Sequence, residues 1–358
     1  MAARPARDRH TVHSLDRREC RGAELTEIRV AVIGAGVAGL TCARALARAD
    51  VRVTVFERAR GLGGRLGTRR QGNFAFDHGA QFVTARSRPF IKYVEVAARA
   101  GVLMPWRPRI LEDDRVWDAP IEEWHVGVPG MSAALRPMSR AVELQTGVGV
   151  HELLQSQRGW ELQTDSGRPN RIFDAVAVAV PAPQALSLLG PHGRAFRHLT
   201  DVRMAPCWAA MMTFDEPIDV GAEVRRWTQG PLTWAACDSS KPQRPVGPQA
   251  WVVHASVPWS RDHLEADGPE VARLLLHAFA TATGVNLPPP AHLQAHRWRH
   301  AFVEQPLGLP CLVDEEIAAG ACGDWCIAPR VEAAFESGRT LAQSLLSMVG
   351  RSSPAALR

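Results

Sequence analysis

Three glycines near the start of the chain have the spacing of a phosphate-binding turn. Gly34, Gly36 and Gly39 follow a β-branched apolar run at 28–33, and a segment rich in Ala, Leu and Arg comes next. The first glycine permits a tight turn, the second lets the backbone approach a pyrophosphate, and the third lets helix and strand pack closely. The helix then offers free N–H groups to the phosphates. The pattern predicts a dinucleotide held by Gly34, Gly36, Val37, Ala38 and Gly39.

An acidic residue at the end of the next strand-like run predicts how the adenosine half binds. Glu57 lies 18 residues beyond Gly39 and closes the apolar run at 51–56. A carboxylate at this place accepts hydrogen bonds from both ribose hydroxyls, which favours a ribose without a 2′-phosphate. We predict that Glu57 and the neighbouring Arg58 contact the cofactor.

A second glycine pair narrows the cofactor. Gly63, Gly64 and Arg65 follow the second strand closely. A Rossmann domain that binds only a nicotinamide dinucleotide needs no second glycine pair here. A domain that binds FAD does need one, because its chain must lie against the pyrophosphate and the ribityl of the cofactor. The guanidinium of Arg65 offers a fork of donors to phosphate oxygens. The predicted cofactor is therefore FAD, bound non-covalently.

A Gly-Asp pair near the C-terminal end supplies the second anchor. Asp324 ends a strand-like run at 317–323, and a Pro-initiated helix follows to about residue 348. The carboxylate is placed to bind a polyol such as ribityl, and the helix N-terminus points at the pyrimidine end of the flavin. Its dipole stabilises the negative charge of a reduced isoalloxazine. The predicted contacts are Asp324, Arg330, Val331 and Ala334.

The segment 76–82 combines small residues with polar ones. Small residues allow close approach to a flat ring, and polar side chains recognise its edge. We assign His78 and Gln81 as catalytic candidates on this ground, with a purely structural histidine as the alternative.

The elements predicted around these motifs alternate between strand and helix. Helices are predicted at 41–49, 131–138 and 268–282, and strands at 159–164, 174–180, 208–214 and 251–257. Several strand-like pieces between 205 and 260 indicate an antiparallel sheet. The predicted fold is α/β, with a Rossmann-like FAD-binding domain and a substrate domain of antiparallel sheet plus helices.

Composition excludes several classes of protein. The 358 residues are 46% apolar and carry a net charge of +5, which is neither the composition of a disordered chain nor that of a collagen. No apolar stretch reaches the roughly 18 residues of a membrane span. The charges are scattered, so no nucleic-acid partner is predicted.

Seven cysteines without a disulfide framework indicate a cytoplasmic protein, and Cys322 and Cys326 alone predict no metal. Residues 1–27 are predicted to be a disordered extension.

The phosphate-binding glycines, Glu57, the Gly63–Arg65 segment and the late Gly-Asp helix together resemble the flavin-containing amine oxidase superfamily. The resemblance covers roughly residues 28–348 and implies an FAD domain interrupted by a substrate domain. The implied FAD-binding segments are 28–85, 126–185 and 300–350. The implied substrate-domain segments are 86–125 and 186–299.

The middle of the chain resembles one branch, the bacterial renalase-like proteins. The segments that carry this resemblance include 76–86, 129–132, 181–184, 205–208, 239–242, 251–254 and 297–301. The branch implies oxidation of the 2- or 6-dihydro isomers of NAD(P)H to NAD(P)+ by hydride transfer to flavin N5, with O2 reduced to H2O2. His300, where an aromatic residue is usual, becomes a third catalytic candidate. The expected protein is a monomer or homodimer with a small-molecule substrate and no membrane partner.

Other functions remain open on the residues alone. A flavin-dependent amine or amino-acid oxidase is the main alternative. The chain has a single tyrosine, Tyr93, so a pair of tyrosines facing the flavin is impossible, although Trp or Phe can replace them. Its only lysines are Lys92 and Lys241, and Lys241 lies in a proline-rich stretch. A desaturase and a non-enzymatic FAD-binding protein are further alternatives.

Overall fold

The computed structural model describes residues 27–350 except residues 114, 141 and 170. Nearly all of the predicted N-terminal extension, residues 1–26, lies outside the described residues. Nineteen strands are described: β1 Arg29–Ile33, β2 Arg52–Glu57, β3 Arg69–Gln71, β4 Phe74–Phe76, β5 Leu103–Trp106, β6 Ile110–Glu112, β7 Arg115–Trp117, β8 Trp124–Gly127, β9 Glu143–Thr146, β10 Val150–Ser156, β11 Gly159–Thr164, β12 Ala175–Val178, β13 Arg203–Phe214, β14 Val224–Arg226, β15 Leu232–Cys237, β16 Gln249–Ala255, β17 His292–Gln305, β18 Leu312–Asp314 and β19 Ala319–Ala321. Seven α-helices are described: α1 Val37–Ala47, α2 Arg88–Arg99, α3 Arg136–Ser139, α4 Ala182–Leu189, α5 Val257–Asp262, α6 Gly268–Thr283 and α7 Val331–Met348.

The first unit of the fold is the predicted strand, glycine turn, helix and strand. β1 and β2 are parallel and buried except at their first residues and at Glu57. α1 packs tightly against the turn, because a Cβ on Gly39 would lie 1.9 Å from the Gly34 carbonyl oxygen. α7 crosses α1 just as closely, since a Cβ on Gly338 would lie 2.1 Å from the Ala38 carbonyl oxygen. Glycines therefore set both helix contacts in this unit.

A six-stranded sheet continues this unit, in the order β18-β19-β12-β1-β2-β9. All its pairings are parallel except the one between β18 and β19. Its strands come from separated stretches of the chain, and β19 lies beside β12 although 140 residues separate them. This mixed α/β arrangement confirms the predicted fold class. The division into domains at the stated boundaries stays a prediction.

A seven-stranded sheet forms the second layer, in the order β17-β13-β16-β15-β14-β6-β7. The core of this sheet is antiparallel, as predicted for residues 205–260, and it extends on both sides beyond that range. One face packs on α6, through residues such as Trp251 and Phe279. The opposite face, which includes Met211 and Val252, packs against Phe76 of the first layer. This second face borders the candidate site.

Several element predictions differ in detail from the structure. The helix predicted at 41–49 is α1, Val37–Ala47, and the strand predicted at 208–214 is the end of β13, Arg203–Phe214. The helix predicted at 131–138 is a 3-10 stretch, Met131–Leu135, followed by the single turn of α3. The strand predicted at 251–257 ends at Ala255, because Val257 and Pro258 begin α5 and proline fixes a helical φ at a first turn. Within the described ranges, no helix combines the length and apolarity needed to cross a bilayer.

Candidate functional site

The two predicted glycine loops face each other beside the start of α1. Gly63 donates its N–H to the Ala35 carbonyl at 3.0 Å, and Gly64 adopts a φ of 54°, where glycine is favoured. A Cβ on Gly36 would meet only the Gly63 carbonyl oxygen, at 3.9 Å. In the part of the chain that the structure describes, no side chain caps the N-terminus of α1. Open space beside uncapped N–H groups fits the pyrophosphate of FAD.

Glu57 lies at the carboxyl end of β2, next to this turn. One of its oxygens accepts the Ala35 N–H at 2.8 Å and the other accepts the Ala59 N–H at 2.8 Å. The carboxylate therefore joins the glycine turn to the backbone just after β2, and its contact with the ribose stays a prediction. Arg58, beside it, is exposed.

Arg65 and Asp324 are paired with each other. Two nitrogens of the Arg65 guanidinium lie 2.6 and 2.8 Å from the two carboxylate oxygens of Asp324. The side chains are only 27% and 12% exposed, so the pair is well shielded from water. A bidentate pair of this kind has a defined geometry. The structure thus brings together the two residues that were assigned to the phosphates and to the ribityl chain.

The predicted flavin contacts at the N-terminus of α7 differ in exposure, and their role stays a prediction. Arg330 is the N-cap residue of α7 and is exposed, while Val331 and Ala334 are half-buried. Among the described residues, no side chain caps this end. The acidic residue of its first turn, Glu332, is occupied elsewhere, because it accepts the backbone N–H groups of Arg86 at 2.9 Å and Ser87 at 2.6 Å.

His78 is held from two sides by the seven-stranded sheet. Its carbonyl oxygen lies 2.9 Å from Nε1 of Trp298 and 3.2 Å from Nε2 of His254. Its ring stacks on Trp298 with centroids 5.0 Å apart and meets His296 edge-on at 4.8 Å. The Nδ1 atom is buried without a hydrogen-bond partner in the described residues. This predicted catalytic residue is therefore packed into the wall of the site.

Gln81 is equally enclosed. Its Nε2 donates to the carbonyls of Asp77 and Gly79, and its Oε1 accepts from Nζ of Lys241 at 3.3 Å. The side chain is 6% exposed. Gln81 thus holds the 77–82 loop in shape, and its assignment as catalytic stays a prediction.

Four buried charges lie behind this loop. We call Asp77, Asp238, Lys241 and Arg244 the buried charge cluster, and no side chain in it is more than 2% exposed. Nζ of Lys241 lies 3.1 Å from Asp77 and 2.5 Å from Asp238. Arg244 pairs with Asp77 and donates to the Gly127 carbonyl at 3.0 Å. Two carboxylates and two cations balance, as buried charges must.

The cluster shifts its carboxyl groups in opposite directions. Burial alone would raise the pKa of Asp77, but the charges of Lys241 and Arg244 and hydrogen bonds from Met131 and Thr68 hold it below the usual value. Burial raises the pKa of Asp238 more than the cluster's cations lower it. Asp77 is the carboxylate that contacts both cations closely, whereas Asp238 contacts Lys241 closely and Arg244 only at 4.0 Å.

Three buried histidines lie close together here: His296 on β17, His254 on β16 and His78 in the loop after β4. Burial lowers the pKa of His254 to about 4 and that of His296 to about 4, with Arg69 contributing to the second. Burial, then His296 and Arg69, lower the pKa of His78 to about 3. All three rings are therefore neutral near pH 7.

The third catalytic candidate, His300, lies farther along β17. It is half-buried, and burial and the nearby charge of Arg65 lower its pKa. This places it toward the Arg65–Asp324 pair, whereas His78 lies against Trp298 and His296. The three candidates are therefore spread along the site.

Several residues of the site escaped sequence reasoning. Lys241 does lie in a loop, yet its side chain is completely buried. Its partners Asp77 and Gln81 are 164 and 160 positions away in the chain, so no local pattern in the sequence indicates these contacts. Asp77 lies in the segment 76–82, but no role was predicted for it from the sequence. A detectable signal existed for β17: His292, His296 and Trp298 are separated by even numbers of residues, which places them on one face of a strand.

The comparisons with known proteins agree with this geometry. The family described as flavin containing amine oxidoreductase matches residues 100–346, and an NAD(P)-binding Rossmann-like domain matches residues 32–95. The fold is similar to a candidate protoporphyrinogen oxidase from Exiguobacterium sp. 255-15, with a TM-score of 0.72 and 14% identity over 88% of this chain and 98% of the other.

Two further solved structures share the fold. An oxidoreductase from Methanosarcina mazei has a TM-score of 0.64 and 13% identity, over 87% of this chain and 99% of the other. A putrescine oxidase bound to putrescine has a TM-score of 0.66 and 11% identity, over 91% of this chain and 99% of the other. The family match spans more than half of the chain and confirms the predicted cofactor, FAD. The chain belongs to the flavin-containing amine oxidoreductase family and is a flavin-dependent oxidoreductase.

Proposed function

We propose that the protein is an FAD-dependent oxidase of the renalase type, which converts 2- or 6-dihydro isomers of NAD(P)H to NAD(P)+. The observation that carries this proposal is the uncharged aromatic wall of the site. His254, His296 and Trp298 of the sheet lie against the 77–82 loop, and His78 of that loop is the third histidine that is neutral near pH 7. Flat apolar and weakly polar groups of this kind suit a neutral dihydropyridine ring.

Bound FAD supplies a hydride acceptor at N5 and returns the electrons to O2, which yields H2O2. The protein needs to hold the substrate ring flat, and the nitrogen lone pair of the dihydropyridine drives hydride release. No strong base is needed for this reaction. This agrees with a site whose imidazoles are packed and whose His78 carbonyl is fixed by two donors.

Amine oxidation is the alternative, and membership of the family favours it. An ammonium substrate needs a carboxylate or an aromatic cage to bind its charge. The carboxylates of the buried charge cluster are already balanced by Lys241 and Arg244. Tyr93 packs against Phe335 and donates to the Ala134 carbonyl, so it is engaged away from the 77–82 loop. These features support the dihydronicotinamide reaction over amine oxidation.

Aerobic turnover tests the proposal. The purified flavoprotein is mixed with a preparation of isomeric dihydro-NAD, and NAD+ formation, O2 consumption and H2O2 formation are followed together. The proposal predicts equal amounts of all three and no H2O2 from a panel of amines. Turnover of amines with no loss of either isomer would instead assign the protein to amine oxidation.

A further inference from the structure

Arg69 is an unbalanced positive charge beside the candidate site. It begins β3, is half-buried, and its Nη2 lies 3.3 Å from Nδ1 of His296. Among the described residues no carboxylate pairs with it. The neighbouring arginines differ, because Arg65 is paired with Asp324 and Arg244 with Asp77. A half-buried cation without a counter-charge can bind an anionic ligand.

The charge of Arg69 acts on the ring-binding wall. It contributes to the lowered pKa of His78, His292 and His296, so all three lie within reach of its field. These rings stay neutral and do not add to the charge. The site therefore carries a local positive potential that repels an ammonium group and attracts an anion.

His296 has a defined tautomer at this contact. A guanidinium only donates hydrogen bonds, so Nδ1 of His296 accepts from Arg69 and its proton resides on Nε2. The contact holds the Arg69 guanidinium through one of its nitrogens. Its other N–H groups are suited to phosphate oxygens, because charge-assisted hydrogen bonds to phosphate are strong and directional.

We propose that Arg69, supported by His296, binds the pyrophosphate of the dinucleotide substrate and so selects dinucleotides over nucleosides. The inference rests on the proposed function and adds a specificity residue to it. Arg69 is proposed to bind the pyrophosphate and not the reacting ring, so its removal should weaken substrate binding more than it slows the hydride step.

The test measures equilibrium binding to the flavin-loaded protein. The dissociation constants of NAD+ and of nicotinamide riboside, which lacks the pyrophosphate, are determined from changes in flavin absorbance. We expect Arg69→Gln to weaken NAD+ binding roughly 10- to 100-fold, the range of a lost charge-assisted contact. Binding of nicotinamide riboside should not weaken, because it has no phosphate for Arg69 to bind and its pyridinium charge is repelled less when Arg69 is removed.

Two further variants guard against a general structural effect. Arg70→Gln alters the next residue of β3, which is exposed, and should leave both constants unchanged. Arg69→Lys keeps the charge and should recover part of the NAD+ affinity. Equal losses for both ligands in Arg69→Gln, unchanged NAD+ binding, or no NAD+ binding by the wild-type protein would each overturn the inference.

A second measurement on the same protein tests the proposed function separately. Anaerobic reduction of the wild-type flavin by the dihydro isomers reports on the reaction, whereas the dissociation constants report on Arg69. Normal reduction with unchanged NAD+ affinity in Arg69→Gln would reject the role of Arg69 alone. Absence of reduction by either isomer would reject the proposed function.

Discussion

The two lysines of the chain have opposite surroundings. Lys92 lies on α2 and is exposed, whereas the Lys241 side chain is completely buried between Asp77 and Asp238. The ammonium of Lys241 also holds the amide of Gln81, and so connects the seven-stranded sheet to the 77–82 loop. A buried charge of this kind is balanced only while its partners remain.

Replacing Lys241 should therefore destabilise the protein. Lys241→Met leaves two buried carboxylates with Arg244 as their only cation, and the expected loss is about 3–5 kcal/mol in the free energy of unfolding. Chemical denaturation of the flavin-loaded protein measures it. Lys92→Met is the matched control and should change the stability by less than about 0.5 kcal/mol. Similar stabilities for the two variants would show that the buried charge cluster contributes little.

At the scale of elements, two glycines of the same turn have different roles, one in folding and one in cofactor binding. A Cβ on Gly39 would lie 1.9 Å from the Gly34 carbonyl oxygen, so this glycine is required for α1 to pack. A Cβ on Gly36 would have no protein atom nearer than 3.9 Å, so this glycine keeps space for the cofactor.

Two substitutions should separate these roles. Gly36→Val fills the space for the pyrophosphate, and we expect folded protein with most of its FAD lost. Gly39→Ala forces α1 from the turn, and we expect a clear fall in the melting temperature of the apoprotein. Flavin content by absorbance and unfolding by circular dichroism distinguish them. Full FAD retention in Gly36→Val would contradict the assigned cradle.

The elements also show how far sequence reasoning extends. β1, α1 and β2 were predictable because their apolar pattern and glycines are local in the chain. The strand β17 was not predicted, since its half-buried face carries His292, His296 and Trp298 and has no continuous apolar signal. The buried charge cluster was equally invisible, because its pairs form only when distant segments pack together.

For the whole molecule, buried neutral histidines link stability to pH. Burial lowers the pKa of His78 to about 3, and those of His254 and His296 to about 4, from an ordinary value of 6.5. Below pH 6.5 the unfolded chain binds protons that the folded chain does not. The free energy of unfolding is therefore highest above pH 6.5 and falls as pH drops toward 4.

This dependence can be measured with one variant and one control. Each histidine should contribute on the order of 1 kcal/mol per pH unit within that window. His254→Gln keeps a donor for the His78 carbonyl and should reduce the slope of stability between pH 4 and 6.5. His277→Gln, at an exposed position of α6, should not. Equal slopes in the wild type and in His254→Gln would contradict the account.

The arrangement of the whole chain places the neutral wall of the seven-stranded sheet against the FAD-binding layer, and the central claim is that this wall accepts a dihydronicotinamide ring. Anaerobic stopped-flow spectroscopy of the flavin band tests it most directly, with 2- and 6-dihydro-NAD isomers, ordinary NADH and a panel of amines as reductants. The account predicts rapid bleaching by at least one of the two isomers, and slow or no bleaching by NADH and amines. Rapid bleaching by amines alone would contradict it.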